Sequence, residues 1–179
     1  MAAGHGAVNG EAADAADDIS SSAMRLGIDH TLTIAAPPAR VFGAFFDAGL
    51  LARWWQAEQA IVAPRILAPF TVAWATTPHR DPVLGPLGGV FHGIVVDLSP
   101  PVEAFIAECY WLPPEGEAVG PMALTIRCGA EGAGCRLRVE QSGFEDSPRW
   151  RRYYEIAGPG LKSSLQLLKA LLEDEAGAP

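Results

Sequence analysis

The chain is short of cysteine, short of cations and without any long apolar run, and each shortage excludes a class of protein. Three cysteines in 179 residues, Cys109, Cys128 and Cys135, are an odd number with no CxxC spacing. Neither a disulfide framework nor a zinc site is indicated, and reduced thiols in a cytoplasm are the reading that fits. Thirteen Lys and Arg stand against 21 Asp and Glu, for a formal net charge of -8. That balance argues against nucleic acid as a partner, because phosphate binding runs on clustered cations. The one local cation cluster, Arg149, Arg151 and Arg152, reads as a solvated face at a helix start rather than an anion clamp. No apolar run approaches the ~18 residues of a membrane span, and the N-terminus lacks the basic and apolar stretches of a signal peptide, so neither spanning nor export is expected. HExxH, a nucleophile elbow and a spaced cluster of His and acids are all missing, so no metal or cofactor is expected. Gly88-Gly89 and Gly158-Pro159-Gly160 lack the strand-glycine-helix setting of a phosphate loop.

What is present suits one globular domain, with 49% hydrophobic and 19% charged residues. Residues 1–24 contain no aromatic and four acids, Glu11, Asp14, Asp17 and Asp18. Such a composition cannot bury enough surface to offset its ordering entropy, so it reads as a disordered tail. The domain is expected over residues 25–175, with a short disordered end at 176–179.

Within that domain, Ile28, His30, Leu32 and Ile34 alternate with Asp29, Thr31 and Thr33, the period of a half-buried strand. Pro37-Pro38 stops it and opens a helix carrying Val41, Phe42, Phe45 and Phe46, and a second short helix from Leu50 carries Trp54 and Trp55. Strands are expected over residues 59–62, 70–75, 90–98, 104–112, 121–127 and 135–142, separated by proline- and glycine-rich turns. Met122, Leu124, Ile126 and Cys128 share one face, as do Cys135, Leu137, Val139 and Gln141, while Arg127, Arg136 and Arg138 lie opposite. One face is dry and one wet, as in a single-layer antiparallel sheet. From residue 148 to 173, Trp150, Tyr153, Tyr154, Ala157, Leu161, Leu165, Leu168 and Leu172 recur at helical steps, with a kink or break expected at Gly158-Pro159-Gly160. The order is α+β: one strand, two short helices, six strands, and a long helix for a curved sheet to close around.

Four stretches carry a family resemblance: Ala36-Pro37-Pro38-Ala39-Arg40-Val41-Phe42, Leu51-Ala52-Arg53-Trp54-Trp55, Gly88-Gly89-Val90-Phe91-His92-Gly93 with Pro100-Pro101, and Gly160-Leu161 with Leu165, Leu168-Lys169 and Leu172-Glu173. Together they resemble the SRPBCC superfamily and, within it, the activator of heat-shock protein 90 ATPase homologue group. The resemblance implies a helix-grip fold, with about seven strands wrapped around the C-terminal helix and a hydrophobic cavity between them. It does not imply one activity, since relatives include lipid carriers, polyketide cyclases and co-chaperone domains. At one place the sequence departs from the pattern: the tryptophan usual after the glycine of the terminal helix is here Leu161.

The expected site follows from fold and composition together. Phe45, Trp54, Trp55, Trp74, Phe91, Trp111, Tyr153 and Leu161, with His92, are the candidate cavity lining, although ordinary core packing accounts for any single aromatic more readily. His92 alternates with Val90, Ile94 and Val96; turned inward, it is a candidate proton carrier. Glu108 shares parity with Ile106 and Tyr110, opposite Cys109 and Trp111, so only one set is expected to face inward. His30 reads as a satisfied core histidine and His79 as an exposed turn residue. The leading functional expectation is binding of a small hydrophobic molecule. A cyclase-like enzyme using His92 or Glu108 and a co-chaperone-like regulator of an ATPase are the alternatives, and a protein partner or a homodimer stays open.

Overall fold

The computed structural model describes residues 27–177. The tail expected over residues 1–24 and the last two positions of the expected C-terminal tail lie outside them. Strand β1 (Ile28–Ile34) is followed by helices α1 (Pro38–Gly43) and α2 (Ala48–Trp54), then β2 (Gln59–Val62) and β3 (Pro69–Trp74). A two-stranded ribbon follows, β4 (Arg80–Asp81) with β5 (Gly85–Pro86). Next come β6 (Gly89–Ser99), β7 (Glu103–Leu112), β8 (Val119–Glu131), β9 (Gly134–Ser142) and α3 (Pro148–Gly177). Seven strands form one antiparallel sheet in the order β1-β9-β8-β7-β6-β3-β2. This is the curled sheet with a C-terminal helix of the helix-grip α+β fold.

Local chemistry explains the element ends. Pro38 occupies the first helical position of α1, where a missing N–H removes no bond, and the Asp47 side chain caps α2 by accepting from the Leu50 N–H at 3.0 Å. Helix α1 stops at Gly43, so Phe45 and Phe46 lie in the turn between the helices rather than on α1 as expected. The turn expected from residue 78 to 89 contains the small β4–β5 ribbon, too short for alternation to register.

Alternation places the dry face of the sheet correctly along β8 and β9: Leu124, Ile126, Cys128, Leu137 and Val139 are buried, while Arg127, Arg136 and Arg138 are exposed. On the wet face Arg138 pairs with Asp29 and Glu140, and Arg127 with Glu140 and Glu103, at 2.5–2.9 Å. These charges neutralise one another across four strands, each pair contributing a few tenths of a kcal/mol to about 1.

Strand β7 departs from simple alternation. Its pairing with β8 shifts register between Ile106 and Cys109, and Glu108 has φ 51°. The extra residue flips the phase, so Ile106, Cys109 and Trp111 are all buried and Glu108 is exposed. The expectation that either the Ile106 set or the Cys109 set faces inward is therefore corrected. A β-bulge lets Ile106 of one set and Cys109 and Trp111 of the other face inward together, and period-two reading cannot see a bulge.

Helix α3 crosses the dry face and buries Trp150, Tyr153, Tyr154, Leu161, Leu165, Leu168 and Leu172. It is continuous through Pro159, so of the kink or break expected at Gly158-Pro159-Gly160 the break does not occur. Tertiary contacts hold it instead. His30 Nε2 lies 2.9 Å from the Gly158 carbonyl oxygen, and the buried residues on either side of the proline pack on the sheet. At its far end Glu173 accepts from the Ala35 N–H at 2.8 Å, and Glu175 pairs with Arg40 and Arg53. At its near end Tyr154 donates to the Gly143 carbonyl, and Arg152 pairs with Asp81.

Candidate functional site

Between the two anchored ends of α3 the sheet curves away and leaves a cavity of about 470 Å³. Its deep wall comes from Ile28, Phe91, Trp111, Leu124, Gln141 and Tyr153. Trp55 and Trp74 form one side, the strap of Leu84, Leu87 and Gly88 another, and Ile156, Ala157 and Leu161 of α3 the roof. The lining includes the exposed Gln56, Thr77, Ser163 and Leu167, which mark the mouth between α3, the end of α2 and the loop following β3. The size lies within the ordinary range for a small-molecule pocket.

The tryptophans are fixed by their indole N–H groups. Trp74 Nε1 donates to the Trp55 carbonyl at 2.8 Å, and its ring meets that of Trp55 edge-on at 5.4 Å. Trp111 Nε1 donates to the Gly88 carbonyl at 2.8 Å, tying the strap to β7. With those donors spent on the backbone, both residues contribute apolar ring surface to the cavity. Trp111 also packs against Tyr153 with ring centroids 5.6 Å apart.

Of the residues singled out in the sequence, Trp55, Trp74, Phe91, Trp111, Tyr153 and Leu161 line this cavity. Phe45, Trp54 and His92 are not in its lining. Trp54 is fully buried one residue before Trp55, its Nε1 donating to the Ala44 carbonyl and its ring meeting Phe45 at 5.1 Å. Trp55 is the C-cap residue just past α2, and its ring stacks on that of Trp54 with centroids 5.0 Å apart, so the pair forms one stack with Trp54 in the core and Trp55 on the cavity side.

His92 points away from the cavity because Phe91, Gly93 and Val95 take the inner parity of β6. Its Nδ1 lies 2.8 Å from the Thr71 hydroxyl of the neighbouring strand. Glu108 sits exposed on the bulge, 3.4 Å from the Tyr110 hydroxyl. Neither candidate proton carrier reaches the cavity. Arg149, Arg151 and Arg152 are likewise engaged within the chain, with the Val83 and Glu117 carbonyls, with Asp146, and with Asp81 and Glu155 respectively.

All three cysteines are free and buried. Burial pushes the Cys109 thiol up to about 12 and raises Cys128 and Cys135 as well, which leaves them protonated and unreactive at neutral pH. Among the described residues no group of His, Cys, Asp and Glu is arranged to hold a metal, and no helix is long and apolar enough to cross a membrane.

A family model described as activator of Hsp90 ATPase homolog 1-like protein matches residues 35–173. The chain belongs to that family. Solved structures give the same fold. A protein from Mesorhizobium loti superposes with a TM-score of 0.64 at 21% identity, covering 83% of this chain and 97% of that one. One from Mycobacterium smegmatis superposes at 0.66 and 13% identity, covering 84% and 93%. The Aha1 dimer from Colwellia psychrerythraea, a solution structure, superposes at 0.58 and 16% identity, covering 82% and 96%. At such identities the likeness is one of fold. No curated protein matches the sequence. Leu161, at the position where the resemblance leads to the expectation of a tryptophan, sits 6% exposed in the cavity roof. Of the neighbours able to fill the space a tryptophan would take, Tyr153 lines the cavity whereas Trp150 and Tyr154 do not.

Proposed function

We propose that this family member binds a small hydrophobic molecule in the cavity between α3 and the sheet. The observation that carries the reading is the cavity's composition: about 470 Å³ bounded mainly by Trp, Phe, Leu, Ile and Ala, with Gln, Thr, Ser and Tyr as its uncharged polar residues and, among the described residues, no Asp, Glu, Lys, Arg or His in the lining. Apolar surface in such a pocket gains free energy when a ligand displaces water from it, at roughly 25 cal/mol per Å². The cyclase-like alternative loses its support, because it rested on His92 and Glu108 and both lie away from the pocket.

Native mass spectrometry of gently purified protein, together with displacement of an environment-sensitive dye, tests this. A bound apolar molecule, or saturable dye binding that Trp74→Ala abolishes, is the expected outcome. Absence of both would overturn the proposal. Membership of the activator of Hsp90 ATPase homolog 1-like family suggests a second reading, an interaction with an Hsp90 ATPase. Stimulation of that ATPase by the purified protein would support it.

A further inference from the structure

We propose that Gln141 and Tyr153 form a polar reading head on the deep wall of the cavity, selecting an uncharged hydrophobic ligand that carries a hydroxyl group. The inference rests on the binding function proposed above and adds the chemistry of the ligand.

Both residues line the cavity and both are buried, with 5% and 7% of their surface exposed. Gln141 holds the inward position of β9 that continues the apolar series Cys135, Leu137 and Val139, where a hydrophobic side chain would pack without cost. A buried amide is tolerated only when its polar atoms are satisfied. Here they are satisfied by half. Gln141 Nε2 donates to the Tyr153 hydroxyl oxygen at 2.7 Å and lies 2.9 Å from Met122 Sδ. Its Oε1 bonds to no described residue, on a side chain that lines the cavity. The Tyr153 hydroxyl accepts from Gln141 and has no acceptor for its own proton among the described residues. With the amide turned over, Tyr153 would donate to Oε1 and Nε2 would meet the cavity. Either arrangement leaves hydrogen-bonding capacity facing the ligand space.

The rest of the lining decides the charge. Among the described residues no cation lies in the cavity wall to meet a carboxylate or phosphate, and no anion to meet an amine. Burial also keeps the Tyr153 phenol protonated, as a donor rather than a phenolate. A charged head group carried to this depth would lose its hydration with no counter-ion to replace it. A hydroxyl both donates and accepts, so this one small uncharged group satisfies a carbonyl and a phenolic proton together. The ligand's apolar body then lies against Trp111, Phe91 and Leu161.

Three probes with one ring system test the inference: 2-naphthol, naphthalene and 2-naphthoate, titrated against the whole chain and followed by fluorescence and calorimetry. The expected order of affinity is naphthol, then naphthalene, then naphthoate. A net hydrogen bond of about 1 kcal/mol sets the first gap at roughly five- to tenfold. Gln141→Leu and Tyr153→Phe should each erase that gap while naphthalene still binds. Equal binding of naphthol and naphthalene to the unmodified chain, or a gap that survives both substitutions, would overturn the reading head and leave the cavity's binding role standing. Binding of none of the three overturns both. The order measured on the unmodified chain is decisive even where a variant fails to fold.

Discussion

Nε and Nη2 of Arg152 both lie 2.8 Å from Oδ2 of Asp81, joining the third helix to the strap that closes one side of the cavity. The other carboxylate oxygen accepts from the Val83 and Leu84 N–H groups at 2.9 and 3.0 Å, and Leu84 lines the cavity. A buried carboxylate with four donors is a charged latch, and its loss should be felt at the mouth of the pocket.

The Arg152 guanidinium, ahead of the two backbone donors, holds the Asp81 carboxyl down at about 2, against an ordinary value of 3.8. A lowered folded-state value stabilises the fold at pH above the unfolded value, and that contribution fades as pH falls from about 4 through 2. Asp81→Asn should therefore lower the melting temperature at pH 7 and flatten its fall between pH 4 and 2. The loss at pH 7 should exceed that of Asp29→Asn, whose pair with Arg138 is exposed. Equal melting temperatures for Asp81→Asn and the unmodified chain at pH 7 would contradict the latch.

Pro159 sits inside a continuous helix, where it withholds the N–H that the Glu155 carbonyl would accept. An interior helix proline costs ~3 kcal/mol relative to alanine, of which ~0.4–1 returns because proline restricts the unfolded chain. Pro159→Ala is expected to raise stability by about 2 kcal/mol in urea unfolding. A loss of stability would mean that the proline bends the helix onto the sheet and that the bend is needed.

Gly93 lies on the inner face of the sixth strand where the bulge of the seventh brings two side chains over it. A Cβ there would stand 2.6 Å from Cys109 Sγ and 2.7 Å from Ile106 Cγ2. Gly93→Ala should destabilise the fold by roughly 1–3 kcal/mol through overpacking. Gly129→Ala, at a position with open space around it, is the control. Chemical denaturation of the two variants side by side gives the comparison.

Leu161→Trp puts a larger side chain, the one expected from the resemblance, into the roof of the cavity. Filling that space should weaken binding of an apolar dye by roughly tenfold, what the loss of ~55 Å² of contact costs at ~25 cal/mol per Å². Dye titration of the folded variant measures it; unchanged affinity would place the ligand away from the third helix.

The curved antiparallel sheet, its dry and wet faces and the amphipathic terminal helix were all legible in the sequence, because each follows from period-two or helical spacing of apolar residues. Part of the cavity lining was legible as well, since Trp55, Trp74, Trp111, Phe91, Tyr153 and Leu161 are large apolar groups on elements that face one another. Tertiary structure decided the rest. The bulge at Glu108 switched the parity of the seventh strand, the inward turn of Phe91 sent His92 outward, and packing with the His30 contact kept the helix whole across Pro159. Only the fold could bring Gln141 to Tyr153 and Asp81 to Arg152. Local spacing fixes which face a side chain occupies, whereas a partner distant in the chain is chosen by how sheet and helix close on each other.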